Sequence, residues 1–258
     1  MTALSAPLIG RGILITRPAH QAATLAQGIR DAGGKPVLFP ALEIRAIENA
    51  SLSALIDRLQ DFHIAIFISP NAVQFGVRSV LARRAFPATL ECFALGSGTA
   101  RGLMSQGFHN VIQPAGQDSE ALLALPQLQN VAGKRVVIFR GVGGRELLAE
   151  SLRLRGAQLE YAECYRRVRP DADATPLLAR WATGEVHAVT ITSAETLHNL
   201  AALLGEAGAG LLRTTPVFAP HEKIAEAARR FGIHQVIATA GGDAGLLQGL
   251  INWFRKHP

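Results

Sequence analysis

Ile13–His20 reads ILITRPAH and Val136–Gly143 reads VVIFRGVG. In each, a run of aliphatic and β-branched residues stops at an Arg, and a helical pattern follows. The likeness extends outward. Ile13–Pro40 aligns without gaps on Val136–Glu163, sharing Ile15/Ile138, Arg17/Arg140, Leu25/Leu148, Ala26/Ala149, Arg30/Arg153 and Gly33/Gly156. FHIAIFIS (Phe62–Ser69) matches VHAVTITS (Val186–Ser193). Ala94–Leu125 matches Ala219–Leu250, with Gly107/Gly232, His109/His234, Val111/Val236, Asp118/Asp243 and Leu122/Leu247 among the identities. The three blocks are separated by 123, 124 and 125 positions, so order and spacing hold along the whole chain. Duplication is the simplest account.

Each half alternates strand and helix. The strands are GILITRP, KPVLFP, HIAIFIS, TLECFALG, NVIQP, KRVVIFRG, AQLEYAECY, HAVTITS, TPVFAPH and HQVIATA. Helical periods such as HQAATLAQGIRDAG, SGTARGLMSQG, GRELLAESLRLRG and EKIAEAARRFG lie between them, each closing on Gly. This alternation predicts α/β architecture with parallel sheets covered by helices on both faces. Ten strands in two equal sets give two doubly wound, five-stranded, flavodoxin-like domains.

Two segments decide how the strands are shared. KPVLFPALEIRAIE (Lys35–Glu48) and AQLEYAECYRRVRP (Ala157–Pro170) each stay extended for 14 residues. At about 3.3 Å per residue that is roughly 45 Å, well beyond an ordinary strand. Each is expected to begin in one sheet and cross to the other domain. Residues 1–40 plus 171–258 then form a discontinuous domain, and 49–162 form an inserted one. Residues 41–48 and 163–170 become a two-stranded extended linker beside an interdomain cleft. A tandem division near Ala132 and Gly133 is the alternative.

At 258 residues, with 48% apolar and 18% charged residues, the chain is long enough and apolar enough to bury a core. No apolar run reaches the roughly 20 residues of a membrane-spanning helix, and MTALSAPLIGRG lacks the pattern of a signal peptide. Cys92 and Cys164 are isolated, which fits a reducing compartment, so a cytoplasmic protein is expected. The formal net charge is +6, and only Lys35, Lys134, Lys223 and Lys256 among the basic residues are Lys. An Arg excess suits an anionic ligand, although Arg solvating helix faces would give the same composition. No dense basic run with interleaved aromatics points to nucleic acid.

Ligands of open parallel sheets lie beyond the carboxyl ends of the strands. That rule selects Arg17 and Arg140, Ser69, Ser193, the GSGT turn at Gly96–Thr99, and Asp118 with Ser119. Arg forks, hydroxyls and backbone N–H groups there suit an anion. A carboxylate of the protein itself would equally satisfy each Arg, and helix capping would explain Ser69, Ser119 and Ser193. GVGGRE (Gly141–Glu146) is not a dinucleotide fingerprint, because Glu146 stands where the last Gly belongs, and no P-loop is present. His and Cys are scattered without ligand spacing, so no metal site is indicated. His63/His187 and His109/His234 recur at strand starts, away from the ligand edge, where a structural role is expected. Tyr165, one of two tyrosines, lies in the second crossing segment, where a phenol could donate a proton or simply pack.

Taken in order, ITRP, FISPNAV, ALGSGTA, the SEALL after Asp118, RGVGGRELLAESLRLRGA leading into YRR, and TSAET resemble the uroporphyrinogen-III synthase family over essentially the full chain. APHEKIAEAA (Ala219–Ala228) departs from it, lacking the Gly-Thr character of its counterpart ALGSGTARG. The resemblance implies a lyase that closes the linear tetrapyrrole hydroxymethylbilane, an octacarboxylate, into uroporphyrinogen III with inversion of ring D. It implies no cofactor and no metal, and neither nucleic acid nor membrane as partner. A monomer making transient contact with hydroxymethylbilane synthase is expected. Tyr165 matches the family's tyrosine and would assist loss of the hydroxyl. Ser69, Asn71, Thr99, Ser119, Arg140, Gly141 and Ser193, with Arg17, would contact substrate. A two-lobed binding protein for a small anion is the rival reading, and a nucleic-acid-binding protein a second.

Overall fold

The computed structural model describes residues 6–257. They divide into two compact units. One, discontinuous, runs up to Glu43 and resumes at Val168. The other, inserted, is Ile44–Arg167. In chain order the first elements are β1 (Gly12–Ile15), α1 (Ala23–Asp31), β2 (Lys35–Leu38), β3 (Glu43–Ala46), α2 (Ala50–Asp57), β4 (Ile64–Phe67) and α3 (Pro70–Leu81). Next come β5 (Glu91–Ala94), α4 (Ser97–Ser105), β6 (Val111–Ile112), α5 (Ser119–Leu123), β7 (Arg135–Gly141), α6 (Leu147–Leu154) and β8 (Gln158–Val168). The chain ends with α7 (Thr175–Ala182), β9 (Ala188–Thr190), α8 (Ala194–Thr214), β10 (Val217–Ala219), α9 (Glu222–Arg230), β11 (Val236–Ala238) and α10 (Gly242–Lys256).

The discontinuous unit holds a parallel five-stranded sheet in the order β11-β10-β9-β1-β2. Successive strand residues point to opposite faces, and both faces are apolar. Ile13, Ile15, Ala188 and Phe218 pack under α1 and α10, against Leu25, Ile29, Leu246 and Leu250. Leu14, Val189, Val217 and Ala219 face the other way, toward Trp181, Leu197, Leu200 and Ala225 of α7, α8 and α9. Such strands read as continuous hydrophobic runs because neither face meets water.

The inserted unit holds a sheet in the order β3-β8-β7-β4-β5-β6. Ile64, Ile66, Phe93, Val136 and Ile138 face α5 and α6. On the other face the rings of Phe67 and Phe139 stack with centroids 4.5 Å apart. A Cβ on Gly76 of α3 would lie 2.6 Å from Phe139 Cδ1, so only glycine lets this helix settle on the sheet.

With β3 set aside, the two sheets correspond strand for strand: β1 with β7, β2 with β8, and β9, β10, β11 with β4, β5, β6. These are the pairs the sequence repeats define. Each unit takes its strand pair from one repeat and its three remaining strands from the other. The four glycines expected to end helices, Gly33, Gly107, Gly156 and Gly232, all have positive φ. The repeated His63 and His187 do the same structural work. His187 Nδ1 accepts from Gly12 N–H, and His63 Nδ1 from Arg135 N–H, each at 3.0 Å. Each ring thus fastens the start of β1 or β7 to its neighbouring strand.

The expectation of five strands in each sheet needs correction. Lys35–Glu48 is not one continuous extension but β2 and β3, so the inserted unit has six strands. Pro40 falls between them and has no N–H for a ladder. Phe39 and Ala41 on either side still donate to Ile15 and Thr16 carbonyls, at 3.0 and 2.8 Å. β3 then joins β8, and beyond it Ile47 N–H donates to Cys164 O at 3.0 Å.

Among the described residues no helix is long and apolar enough to cross a membrane. Cys92 and Cys164 are buried free thiols, and burial pushes both up to about 12.

Candidate active site

In the inserted unit the carboxyl ends of β4, β7 and β8 bring together residues far apart in sequence. β7 and β8 run in parallel register from Arg135↔Gln158 to Arg140↔Glu163, then shift so that Gly141 faces Tyr165. Cys164 is the extra residue of a β-bulge. Alternation fails there, and Cys164 and Tyr165 are buried in succession. Tyr165 is thereby aimed along Gly141. A Cβ on Gly141 would lie 2.6 Å from Tyr165 Cε2 and 2.7 Å from Cζ, so this glycine provides the slot for the ring. The ring of Phe75 in α3 lies beside it, centroid to centroid 5.8 Å. The Tyr165 hydroxyl sits 3.1 Å from Ser69 Oγ. Ser69 also accepts from Ala72 N–H at 3.0 Å, capping α3. Asn71 is the second residue of that helix and is half-buried.

Arg140, one residue before Gly141, has a side chain only 3% exposed. Its Nε donates to the Gly141 carbonyl at 3.2 Å. Its NH1 donates to Glu146 Oε1 at 2.9 Å, and its guanidinium stacks 4.5 Å over the Tyr161 ring. The Tyr161 hydroxyl donates to the second Glu146 oxygen. That hydrogen bond and the Arg140 guanidinium hold the Glu146 carboxyl below its usual range. Burial, and then the same bond to Glu146, raise the Tyr161 phenol. Beside this cluster opens a cavity of about 170 Å³ lined in part by Ser119, Arg140, Arg145 and Tyr161.

Ser119 does not cap α5, contrary to expectation. Asp118 does, accepting from Ala121 N–H at 2.8 Å. An Asp carboxylate one position earlier is the better-placed acceptor. Thr99 is buried and donates its hydroxyl to Leu95 O at 2.8 Å.

The discontinuous unit repeats the design at its own sheet edge. Arg17 follows β1 and forms an ion pair with Asp243 in the first turn of α10. Ser193 caps α8, accepting from Thr196 N–H at 3.0 Å. Arg17 and Arg140 therefore each meet a carboxylate of the protein.

Sequence reasoning passed over Asp243, Glu146, Tyr161 and Phe75. The first was in view as the repeat partner of Asp118. Glu146 had been noted only as an interruption of a glycine motif. Nothing in local pattern marks Tyr161 or Phe75.

These features define a class: a two-unit, doubly wound α/β protein whose strand ends carry Arg, hydroxyl and phenol groups. The family model described as "Uroporphyrinogen-III synthase HemD" matches residues 23–248. Uroporphyrinogen-III synthase of Salmonella typhimurium is 38% identical over 194 residues, covering 73% of this chain and 78% of that protein. The Escherichia coli protein of the same name is 35% identical over 197 residues, covering 74% and 79%. Among solved structures, a mutant uroporphyrinogen III synthase from Thermus thermophilus matches with TM-score 0.64 at 18% identity, over 95% of this chain and 99% of that one. The Helicobacter pylori enzyme matches with TM-score 0.59 at 15% identity, over 96% and 100%. At these identities the structures establish the fold alone. The chain belongs to the uroporphyrinogen-III synthase family.

Proposed function

We propose that this protein cyclises hydroxymethylbilane to uroporphyrinogen III, with inversion of ring D and loss of water. The observation that carries the reading is a phenol held at a sheet edge by a bulge, a glycine slot and a serine hydroxyl, in a chain of this family.

In this reading Tyr165 donates a hydrogen bond or proton to the departing hydroxyl of the bilane. Loss of water, driven by electron release from the pyrrole, gives an electrophilic azafulvene, which the electron-rich ring D attacks. Ring closure at the substituted carbon of ring D gives a spiro intermediate, which fragments and recloses. The pyrroles drive much of this chemistry, and the bilane closes unaided to the uninverted isomer I. The protein's task is then to fix a folded pose and to stabilise charge. Arg17, Ser69, Asn71, Thr99, Ser119, Arg140, Gly141 and Ser193 are assigned to carboxylate or backbone contacts with substrate. Ser69 and Gly141 also position Tyr165. The enzyme acts as a cytoplasmic monomer without cofactor or metal, taking its unstable substrate in brief contact with hydroxymethylbilane synthase.

The direct experiment mixes the protein with freshly generated hydroxymethylbilane and separates the product isomers. Enrichment of isomer III supports the reading. Isomer I alone defeats it, and tight binding of the bilane without isomer III would favour the two-lobed binding protein instead.

A further inference from the structure

Arg140 carries a charge that is almost completely buried, and a buried charge needs a partner. Its carboxylate partner, Glu146, does not come from the helix that the repeat would supply. In the discontinuous unit the equivalent Arg17 pairs with Asp243 in the first turn of α10. The repeat equivalent of Asp243 is Asp118, whose Oδ1 accepts from Ala121 N–H while Arg140 turns to Glu146. Glu146 is 46% exposed and lies at the end of a loop containing Gly143 and Gly144, both at positive φ. The loop passes close to the guanidinium: a Cβ on Gly144 would lie 3.0 Å from Arg140 NH2. The adjoining cavity of about 170 Å³ has two Arg, one Ser and one Tyr among its lining residues, and no Asp or Glu.

We propose that Arg140 forms a carboxylate-binding subsite which Glu146 fills as an internal stand-in, and that a substrate carboxylate displaces Glu146 from it. Tyr161 is the second half of the device, because its hydroxyl holds the other Glu146 oxygen. Glu146 occupies NH1 of Arg140, so an acid that takes both terminal nitrogens of the fork must displace it. Glu146 therefore keeps the buried charge compensated and raises the concentration of acid needed to fill the cavity. That the displacing acid is a side chain of hydroxymethylbilane rests on the reaction proposed above.

Kinetics with hydroxymethylbilane on the full chain tests this. Glu146→Gln is expected to lower KM about tenfold, and Tyr161→Phe about threefold, the change falling on KM more than on kcat. Calorimetric titration with uroporphyrin III, which also carries eight carboxylates, is expected to show the same tightening. Arg140→Lys, which loses the planar fork, is expected to weaken that binding about tenfold. Melting curves verify that each variant is folded. Unchanged or raised KM in folded Glu146→Gln or Tyr161→Phe overturns the subsite. If wild type gives only isomer I while uroporphyrin III still binds more tightly to Glu146→Gln, the reaction fails and the subsite stands. If wild type makes isomer III while both variants bind like wild type, the subsite fails alone.

Discussion

The hydroxyl oxygens of Ser69 and Tyr165 lie 3.1 Å apart, joining the end of β4 to the bulged end of β8. Ser69 Oγ already accepts the Ala72 N–H, and its own proton is available for the phenol oxygen. With Ser69 donating, the Tyr165 proton is left for a ligand. Two substitutions separate these duties. Tyr165→Phe keeps the ring against Gly141 and Phe75, so its stability cost is expected to be about 1 kcal/mol. Turnover of hydroxymethylbilane should fall about tenfold or more. Unchanged turnover would remove Tyr165 from the chemistry. Ser69→Ala loses the α3 cap as well, at about 1 kcal/mol, and Ser69→Thr should recover both the cap and the rate.

Gly141→Ala tests whether the slot, rather than any ligand contact, accounts for glycine at this position. The added Cβ would lie 2.6 Å from a ring carbon of Tyr165. The ring must shift, at a cost of about 1–3 kcal/mol for overpacking. Expected is a folded protein with a lower melting temperature and lower kcat. If Gly141→Ala also carries Tyr165→Phe, the loss in kcat should be smaller than the sum of the two single effects, because both act through one hydroxyl. Additive losses would mean that Gly141 acts independently of the tyrosine.

What the sequence made legible was local or repeated. Strands such as Ile64–Phe67 and helix stops such as Gly156 follow from short-range patterning. The length argument over Lys35–Glu48 and Ala157–Pro170 pointed to a discontinuous division, but its premise holds only for the second segment, since the first is broken into β2 and β3. The site was visible as a set of strand ends but not as a set of contacts. Whether Arg140 meets Asp118 or Glu146 depends on how the loop after β7 folds back, and spacing carries no record of that. The bulge at Cys164 is equally silent, since one extra residue in a buried strand leaves the hydrophobic run intact. Pro40 does carry a signal, a proline inside an extended run marking a break in the ladder, but the expectation of one continuous extension over Lys35–Glu48 ignores it.

Neither thiol should react in the folded protein. Burial raises Cys92 and Cys164 to about 12, so at pH 8 only about one molecule in ten thousand carries either thiolate. Iodoacetamide is expected to leave the native chain unlabelled over an hour and to modify both cysteines once the chain is unfolded in guanidinium. Mass spectrometry counts the adducts. A native adduct on Cys164 would mean that the bulge next to Tyr165 opens readily.

Lowering the pH should loosen the discontinuous unit through His187. Its Nδ1 accepts the Gly12 N–H, which requires a lone pair on that nitrogen and therefore a neutral ring. Burial, followed by the nearby charge of Arg11, lowers the His187 pKa from its usual value of 6.5. As acid is added, the unfolded chain therefore binds this proton before the folded one does. The stabilising contribution is fully present above about pH 6.5 and is lost as pH falls through the lower, folded-state value. His187→Ala removes the acceptor at every pH and should cost about 1–2 kcal/mol at pH 8, where Gly12 N–H is left unpaired. Urea midpoints for both proteins between pH 8 and pH 5 provide the check. The gap between wild type and His187→Ala should narrow toward pH 5. A gap of constant width would mean that the folded and unfolded chains bind this proton alike, and that His187 plays no part in the acid sensitivity of β1.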